Sequence, residues 1–257
     1  MRRFIRIIFK KKVLFAILFL AIAVSGYHLS GNENKNQIDN MNTVYTDELS
    51  KTPSDDSSVN AVTDIPDYDG STSVVVLNNN VPEFSEEEII TDAYVSLSPL
   101  DELGRCGAAI GCFGPETIAK EERGSIGHIR PSGWHTIKYP EVISDLYLYN
   151  RCHLLMYKVS GILDDERNLI TGTRYLNVES MLPLETEILD YIYETNNHVV
   201  YRVTPVFEGD NLVASGVKME AYSVEDQGKG VCFNAYCYNI QPGIIIDYAT
   251  GESKLEE

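Results

Sequence analysis

Basic residues are scarce in this sequence: 21 Lys and Arg stand against 38 Asp and Glu, for a formal net charge of -17 over 257 residues. So acidic a chain lacks the overall cationic surface that non-specific affinity for nucleic acid usually draws on. Cysteine is present five times but never as Cys-x-x-Cys, which weighs against a structural zinc site. Cys232 and Cys237 lie five apart on one expected strand, so they face opposite sides and are not expected to pair; Cys106 and Cys112 could pair. No internal repeat occurs, and no helix-turn-helix, zinc finger or aromatic RNA-binding signature offers a way to read bases. The longest apolar run, residues 13–26, falls short of the ~20 residues a membrane-spanning helix needs.

That run is nonetheless informative. It follows six basic residues and no acids, and Ala23 and Ser25 offer a cleavage site for a signal peptidase. Residues 1–26 are therefore expected to be a signal peptide or an uncleaved N-terminal anchor, the only expected contact with a membrane. Residues 27–70 hold nine acids and two bases, with few bulky apolar side chains. Such a stretch buries too little surface to offset its ordering entropy, so residues 27–72 are expected to form a disordered acidic tether. The folded domain is then residues 73–257, secreted or tethered at the extracellular face of a membrane.

Within that domain the pattern is α+β: a central antiparallel β-sheet with few helices. Strands are expected at residues 74–77, 146–149 (running to His153), 168–171, 198–207, 212–224, 231–240 and 243–248. Asn78 to Asn80 should turn, residues 208–211 should form a hairpin turn, and an acidic helix should start at Glu86. Residues 183–195 repeat apolar side chains at helical spacing (Leu184, Ile188, Tyr191, Ile192), with Pro183 in the first turn.

Phosphodiester hydrolysis needs a base for water, a cation for developing charge and donors that fix the phosphate. A strand pair followed by a helix can supply all three, and residues 150–185 contain the right side chains. The set Asn150-Arg-Cys-His153, then Asn168-Leu-Ile-Thr-Gly-Thr-Arg-Tyr-Leu-Asn177, then Met181-Leu-Pro-Leu-Glu185 resembles the DNA/RNA non-specific endonucleases of the ββα-metal finger superfamily, in their exported Gram-positive branch. Pro131-Ser-Gly-Trp-His135, Tyr201-Arg-Val-Thr-Pro-Val-Phe207 and Gln241-Pro-Gly243 extend the resemblance over roughly residues 74–252.

The resemblance implies a ββα-metal finger active site, with His153 as general base, Asn177 as ligand of Mg²⁺ (Mn²⁺ as the alternative) and Glu185 as the helix carboxylate. Arg151 joins the catalytic group, Arg174 binds substrate phosphate and Asn168 supports the site from behind. DNA and RNA are the implied substrates, and no obligate protein partner is evident. Asn150, Cys152 and Met156 depart from the family's usual Asp, Gly and Gly, and residues 162–167 depart from its usual loop. These assignments are chemically sensible. A histidine with pKa near ~6.5 accepts protons at neutral pH, one amide oxygen suffices for a cation that keeps its waters, and Arg forks match phosphate. On one helix, Asn177 and Glu185 would stand about 12 Å apart.

Each residue also has a plainer explanation. A histidine at a strand end is often only hydrogen-bonded, Asn177 could cap a turn, and Glu185 suits any first helical turn. Cys152 reads as a small buried side chain, His128, His135 and His198 as structural, with Trp134 and His135 in the core, and Asp164 to Glu166 as an exposed loop rather than a metal cluster. Two further functions fit the same fold: a toxin against competitors, which would need delivery and immunity partners, and a catalytically decayed surface protein.

Overall fold

The computed structural model describes residues 65–257, so the segment read as a signal or anchor and most of the tether lie outside the described residues. Six antiparallel strands form the main sheet: β1 (Val74–Val76), β2 (Tyr94–Leu97), β3 (Ala109–Phe113), β6 (Val199–Val206), β7 (Gly216–Ser223) and β8 (Cys232–Tyr238), in the order β1-β8-β7-β6-β3-β2. A separate pair, β4 (Tyr149–His153) and β5 (Leu169–Thr173), runs antiparallel with His153 opposite Leu169. A one-turn helix, α1 (Tyr157–Ser160), lies between them. After β5 a π-helical turn, Leu176–Met181, runs directly into α2 (Leu182–Thr195). Two short strands, β9 (Ile244–Ile246) and β10 (Ser253–Leu255), pair only with each other. The α+β reading holds, and β4, β5 and α2 make the expected strand–strand–helix unit.

The apolar face of α2 is buried as its periodicity predicts: Leu184, Ile188, Tyr191 and Ile192 are all 8% exposed or less. The helix stops at Asn196, whose left-handed φ of 57° turns its N–H back onto the Ile192 carbonyl. Pro183 has no N–H for the preceding turn, and the backbone there widens into the π-type turn. Asn177 therefore sits on that wider turn and not on α2 itself.

Several boundaries differ from expectation. The strand placed at residues 146–149 begins at Tyr149, because Leu146 (φ 72°) closes a turn in which its carbonyl accepts from the Tyr139 N–H. Asn168 ends a short 3-10 turn and β5 starts one residue later. The strand expected at residues 243–248 shrinks to β9 and leaves the main sheet. Strands β2 and β3 were not expected.

The helix expected at Glu86 is a single turn. Its acids are captured by the sheet: Glu83 meets Lys218 at 2.6 Å, and Arg202 bonds Glu88 at 3.1 Å and Glu220 at 2.9 Å. Pinned in this way across β6 and β7, the segment has no freedom to propagate a helix. Ahead of β1, the Tyr68 ring packs on Tyr238 with centroids 5.3 Å apart.

All five cysteines are free, so no Cys106–Cys112 disulfide forms. Cys106 donates to the Leu169 carbonyl and Cys112 to the Ile90 carbonyl.

Two buried asparagines hold the β4–β5 pair in place. Asn239, with no exposed surface, accepts from the Thr173 N–H (2.8 Å) and donates to the Thr171 (3.1 Å) and Ala214 (2.9 Å) carbonyls. Asn168, equally buried, accepts from the Leu155 N–H and donates to the Leu155 carbonyl, closing the other end of the pair. Replacing Asn239 by Ala strands three buried backbone groups at about 1–3 kcal/mol each. We expect Asn239→Ala to lose about 3 kcal/mol or more in urea unfolding; a loss under ~1 kcal/mol would show that water replaces these bonds.

A second clasp responds to pH. The His198 ring lies between Glu225 (2.6 Å) and Glu116 (3.1 Å), joining the start of β6 to two loops. Burial lowers its pKa, but the hydrogen bonds its ring donates to Glu225 and Glu116 outweigh that and leave it raised above 6.5. The charged clasp is thus fully present below the unfolded histidine's pKa and is lost as pH rises through the raised value. Because Glu116 and Glu225 are 52% and 32% exposed, solvent screening should keep the effect under about 1 kcal/mol. His198→Asn should flatten the stability loss between pH 6 and 9 seen by chemical denaturation; an unchanged slope would exclude His198 as its source.

Candidate functional site

The β4–β5 pair and the π-turn face an open cleft of about 550 Å³. Three of the residues singled out from sequence line it: Arg151 from β4, Arg174 just after β5 and Asn177 on the π-turn. Asn150, Trp134, Tyr147 and a third arginine, Arg123, share the lining, with Asp145 the one acid. His153 and Glu185 stand behind this wall, each 7% exposed. Asn168 does not reach the cleft; its amide is wholly used on Leu155, so it fixes the strand end that carries His153.

His153 is held at both nitrogens. Nε2 lies 2.8 Å from the Leu163 carbonyl, which can only accept, so Nε2 carries the proton. Nδ1 lies 3.2 Å from Nη2 of Arg123, which can only donate, so Nδ1 presents its lone pair. The ring is therefore neutral, with its basic nitrogen turned to the arginine that lines the cleft. Burial, opposed by the Leu163 hydrogen bond and reinforced by the Arg123 charge, pushes its pKa down to about 4.

Arg151 is already engaged. Its Nε donates to the Ile129 carbonyl (2.6 Å), its Nη2 to the Gly127 carbonyl (2.9 Å), and its guanidinium lies 4.0 Å from the centre of the Trp134 ring. It fastens the loop 127–129 over the cleft. Arg174 makes an ion pair of 2.5 Å with Asp145, which aims it and partly neutralises it. Asp165, in the acidic loop, pairs with Arg167 at 2.6 Å.

Cys152 is buried, as expected, and its thiol donates to the Asn177 Oδ1 at 3.1 Å. Gly172 lies against it: any Cβ there would come within 2.7 Å of the Cys152 Cβ. The Asn177 amide is thus oriented from beneath, with its carbonyl oxygen identified by the donor it faces. Glu185 lies in the first turn of α2, and no cation lies within ion-pair distance of it among the described residues. Burial pushes its pKa up to about 8, with Arg123 pulling it down. A buried carboxylate without a partner is costly when charged, and a nearby cation would relieve that cost.

Trp134 lies beside the cleft with Arg151 on its ring, partly buried against the cluster of Ile143, Leu148, Tyr149 and Ile244. His135 is only half-buried and meets the Thr250 carbonyl, so it does not join the core. Sequence reasoning missed Arg123 and Asp145. Both are brought in by loops, and neither has a spacing relation to the motif; the scarcity of bases was the one available signal.

Residues 87–225 match the family model described as DNA/RNA non-specific endonuclease. Among solved structures, NucA from Streptococcus agalactiae without metal is 24% identical, with a TM-score of 0.62 over 72% of this chain and 87% of that one. The same nuclease with a magnesium ion bound gives a TM-score of 0.61 at 24% identity, over 72% and 87%. Sda1 nuclease with a bound zinc ion gives 0.59 at 23% identity, over 72% of this chain and 96% of that one.

The His153 clamp makes a spectroscopic prediction. In ¹⁵N NMR the ring should show the neutral Nε2–H form at pH 5.5, where an unperturbed histidine is mostly protonated. Arg123→Ala should move its titration upward, because one source of positive charge is gone. A midpoint near 6.5 in the unaltered protein would contradict the clamp.

Proposed function

Since the chain belongs to the DNA/RNA non-specific endonuclease family, matched over more than half its length, and is a nuclease of α+β fold, we propose that it is an exported, divalent-metal-dependent enzyme hydrolysing DNA and RNA without sequence preference, with His153 as general base. The observation that carries this reading is the neutral imidazole whose Nδ1 lone pair meets Arg123, one of three arginines that line the cleft.

Water attacks phosphorus in line with the departing ester oxygen; its proton passes to Nδ1 of His153 as the new P–O bond forms and the old one breaks. The Leu163 carbonyl, accepting from Nε2–H, steadies the charged ring that results. Arg123 must leave Nδ1 for water to reach it, and a phosphate in the cleft gives its guanidinium an alternative partner. Arg174 and the outer edge of Arg151 add positive charge on the same wall.

The donor set fits a hard cation. Asn177 lines the cleft with an amide whose oxygen gives one of its two lone pairs to the Cys152 thiol, and Glu185 is a buried carboxyl without an ion pair among the described residues. Asn177 would hold such an ion through its amide oxygen, and Glu185 would act on it through water. When bound, a divalent cation supplies stabilisation for charge developing on the phosphate. Magnesium and zinc on the similar nucleases support a divalent metal; Mg²⁺ is our choice, with Mn²⁺ the substitute. Export is supported by the cationic and then apolar start of the chain.

The charged and amide groups in the cleft address phosphate, water or metal, and phosphate contacts carry no base information, hence the lack of sequence preference. The test is digestion of plasmid and RNA with Mg²⁺, with and without chelator. His153→Ala should lose 10²- to 10⁴-fold in rate, roughly the worth of a general base, with its folding intact. Asn177→Ala should shift activity to much higher metal concentration. Near-normal cleavage by His153→Ala, or full cleavage in excess chelator, would reject the mechanism.

A further inference from the structure

Tyr147 is 42% exposed, yet it lines the same cleft as Arg123, Arg151, Arg174 and Asn177. Its ring carries the Lys138 ammonium 4.8 Å from its centre. We propose that Tyr147 beside Lys138 is a stacking platform for an unpaired base, making single-stranded nucleic acid the favoured substrate of this site; the proposal rests on the nuclease reading above.

Three observations support it. First, the ring is preorganised. Lys138 and Tyr147 face each other across an antiparallel bridge, with the Tyr139 N–H on the Leu146 carbonyl (2.8 Å) and the Leu148 N–H on the Ile137 carbonyl (3.1 Å). Second, the chain that carries the ring is anchored by its neighbours. Leu148 and Tyr149, which follow Tyr147 directly, are 3% exposed or less and pack with Ile143, so a base stacking on Tyr147 orders little backbone that is not already ordered. Leu146, next to Tyr147, is fixed at φ 72°, a region leucine rarely occupies, which directs the chain at this rim.

Third, charge and aromaticity coincide. Sequence-tolerant binding of single strands combines a positive groove for the backbone with aromatic faces for the bases. This chain is acidic overall, but its cleft holds three arginines against one aspartate, with Lys138 at the aromatic rim. In a duplex the faces of each base are covered by its neighbours, so Tyr147 can be used only by an unpaired or extruded base.

The experiment compares one end-labelled oligonucleotide as a single strand and as a duplex, measuring kcat and KM in Mg²⁺ and filter binding in chelator. The unaltered protein should favour the single strand. Tyr147→Ala should weaken single-strand binding and raise KM roughly 5- to 150-fold, the range for one stacked base. Duplex KM should stay near its original value, and Tyr147→Phe, which keeps the ring, should behave like the parent. An abasic site placed along the strand should reproduce the alanine effect at one position. Equal losses on both substrates, or none on the single strand, would overturn the platform. If the unaltered protein binds single strands through Tyr147 but cuts nothing, the nuclease reading fails while the platform stands.

Discussion

Asn239 is the constraint that fastens the β4–β5 pair beside the end of the main sheet. The β4–β5 pair makes no ladder with the six-stranded sheet, so its backbone must be fastened by other means. One buried amide does this, answering Thr171 and Thr173 of β5 on one side and Ala214 on the other, while the Thr173 hydroxyl reaches the Ile240 carbonyl. Three residues of the proposed site lie near that joint: His153 on the paired strand, Arg174 directly after β5, Asn177 on the turn that follows. A side-chain amide suits the task because it offers an acceptor and two donors at fixed angles without bringing charge into the interior. Asn168 serves the far end of the pair in the same way, so the strand that presents His153 is tied at both ends.

The acidity of the chain and its affinity for a polyanion are reconciled by where the acids go. Glu83, Glu88 and Glu220 are absorbed by Arg202 and Lys218 on the sheet, and Glu116 and Glu225 by His198. In the cleft, Asp145 is matched by Arg174, and two further arginines remain. Net charge describes how the molecule repels its copies; the local potential is decided by a handful of side chains.

What the sequence made legible follows the range of the interactions. The buried face of α2 was readable because helical periodicity is local, and the ordering of Asn150 to Glu185 was readable because one supersecondary unit spans it. The turn at Glu86 was not, since its fate depends on Lys218 and Arg202 more than a hundred positions away. Strands β2 and β3 are short, and Ala109 and Gly111 give β3 little of the branched apolar signal that marks a strand. Arg123 reaches His153 from a loop thirty residues earlier, and the π-turn under Asn177 reflects packing joined to Pro183. Arg151 kept its place beside the cleft but serves first to hold backbone carbonyls.

The sequence contains a single tryptophan, and the fold sets it against the cleft with a guanidinium on its face and its indole N–H buried without a partner among the described residues. The protein therefore carries one indole fluorophore, distinguishable by its longer-wavelength absorption from the sixteen tyrosines and located beside the proposed substrate cleft. Its emission is sensitive to whatever draws Arg151 away or changes the water around the indole, with no background from a second indole elsewhere. Occupancy of the cleft can be followed by light alone, in the unlabelled molecule and without turnover.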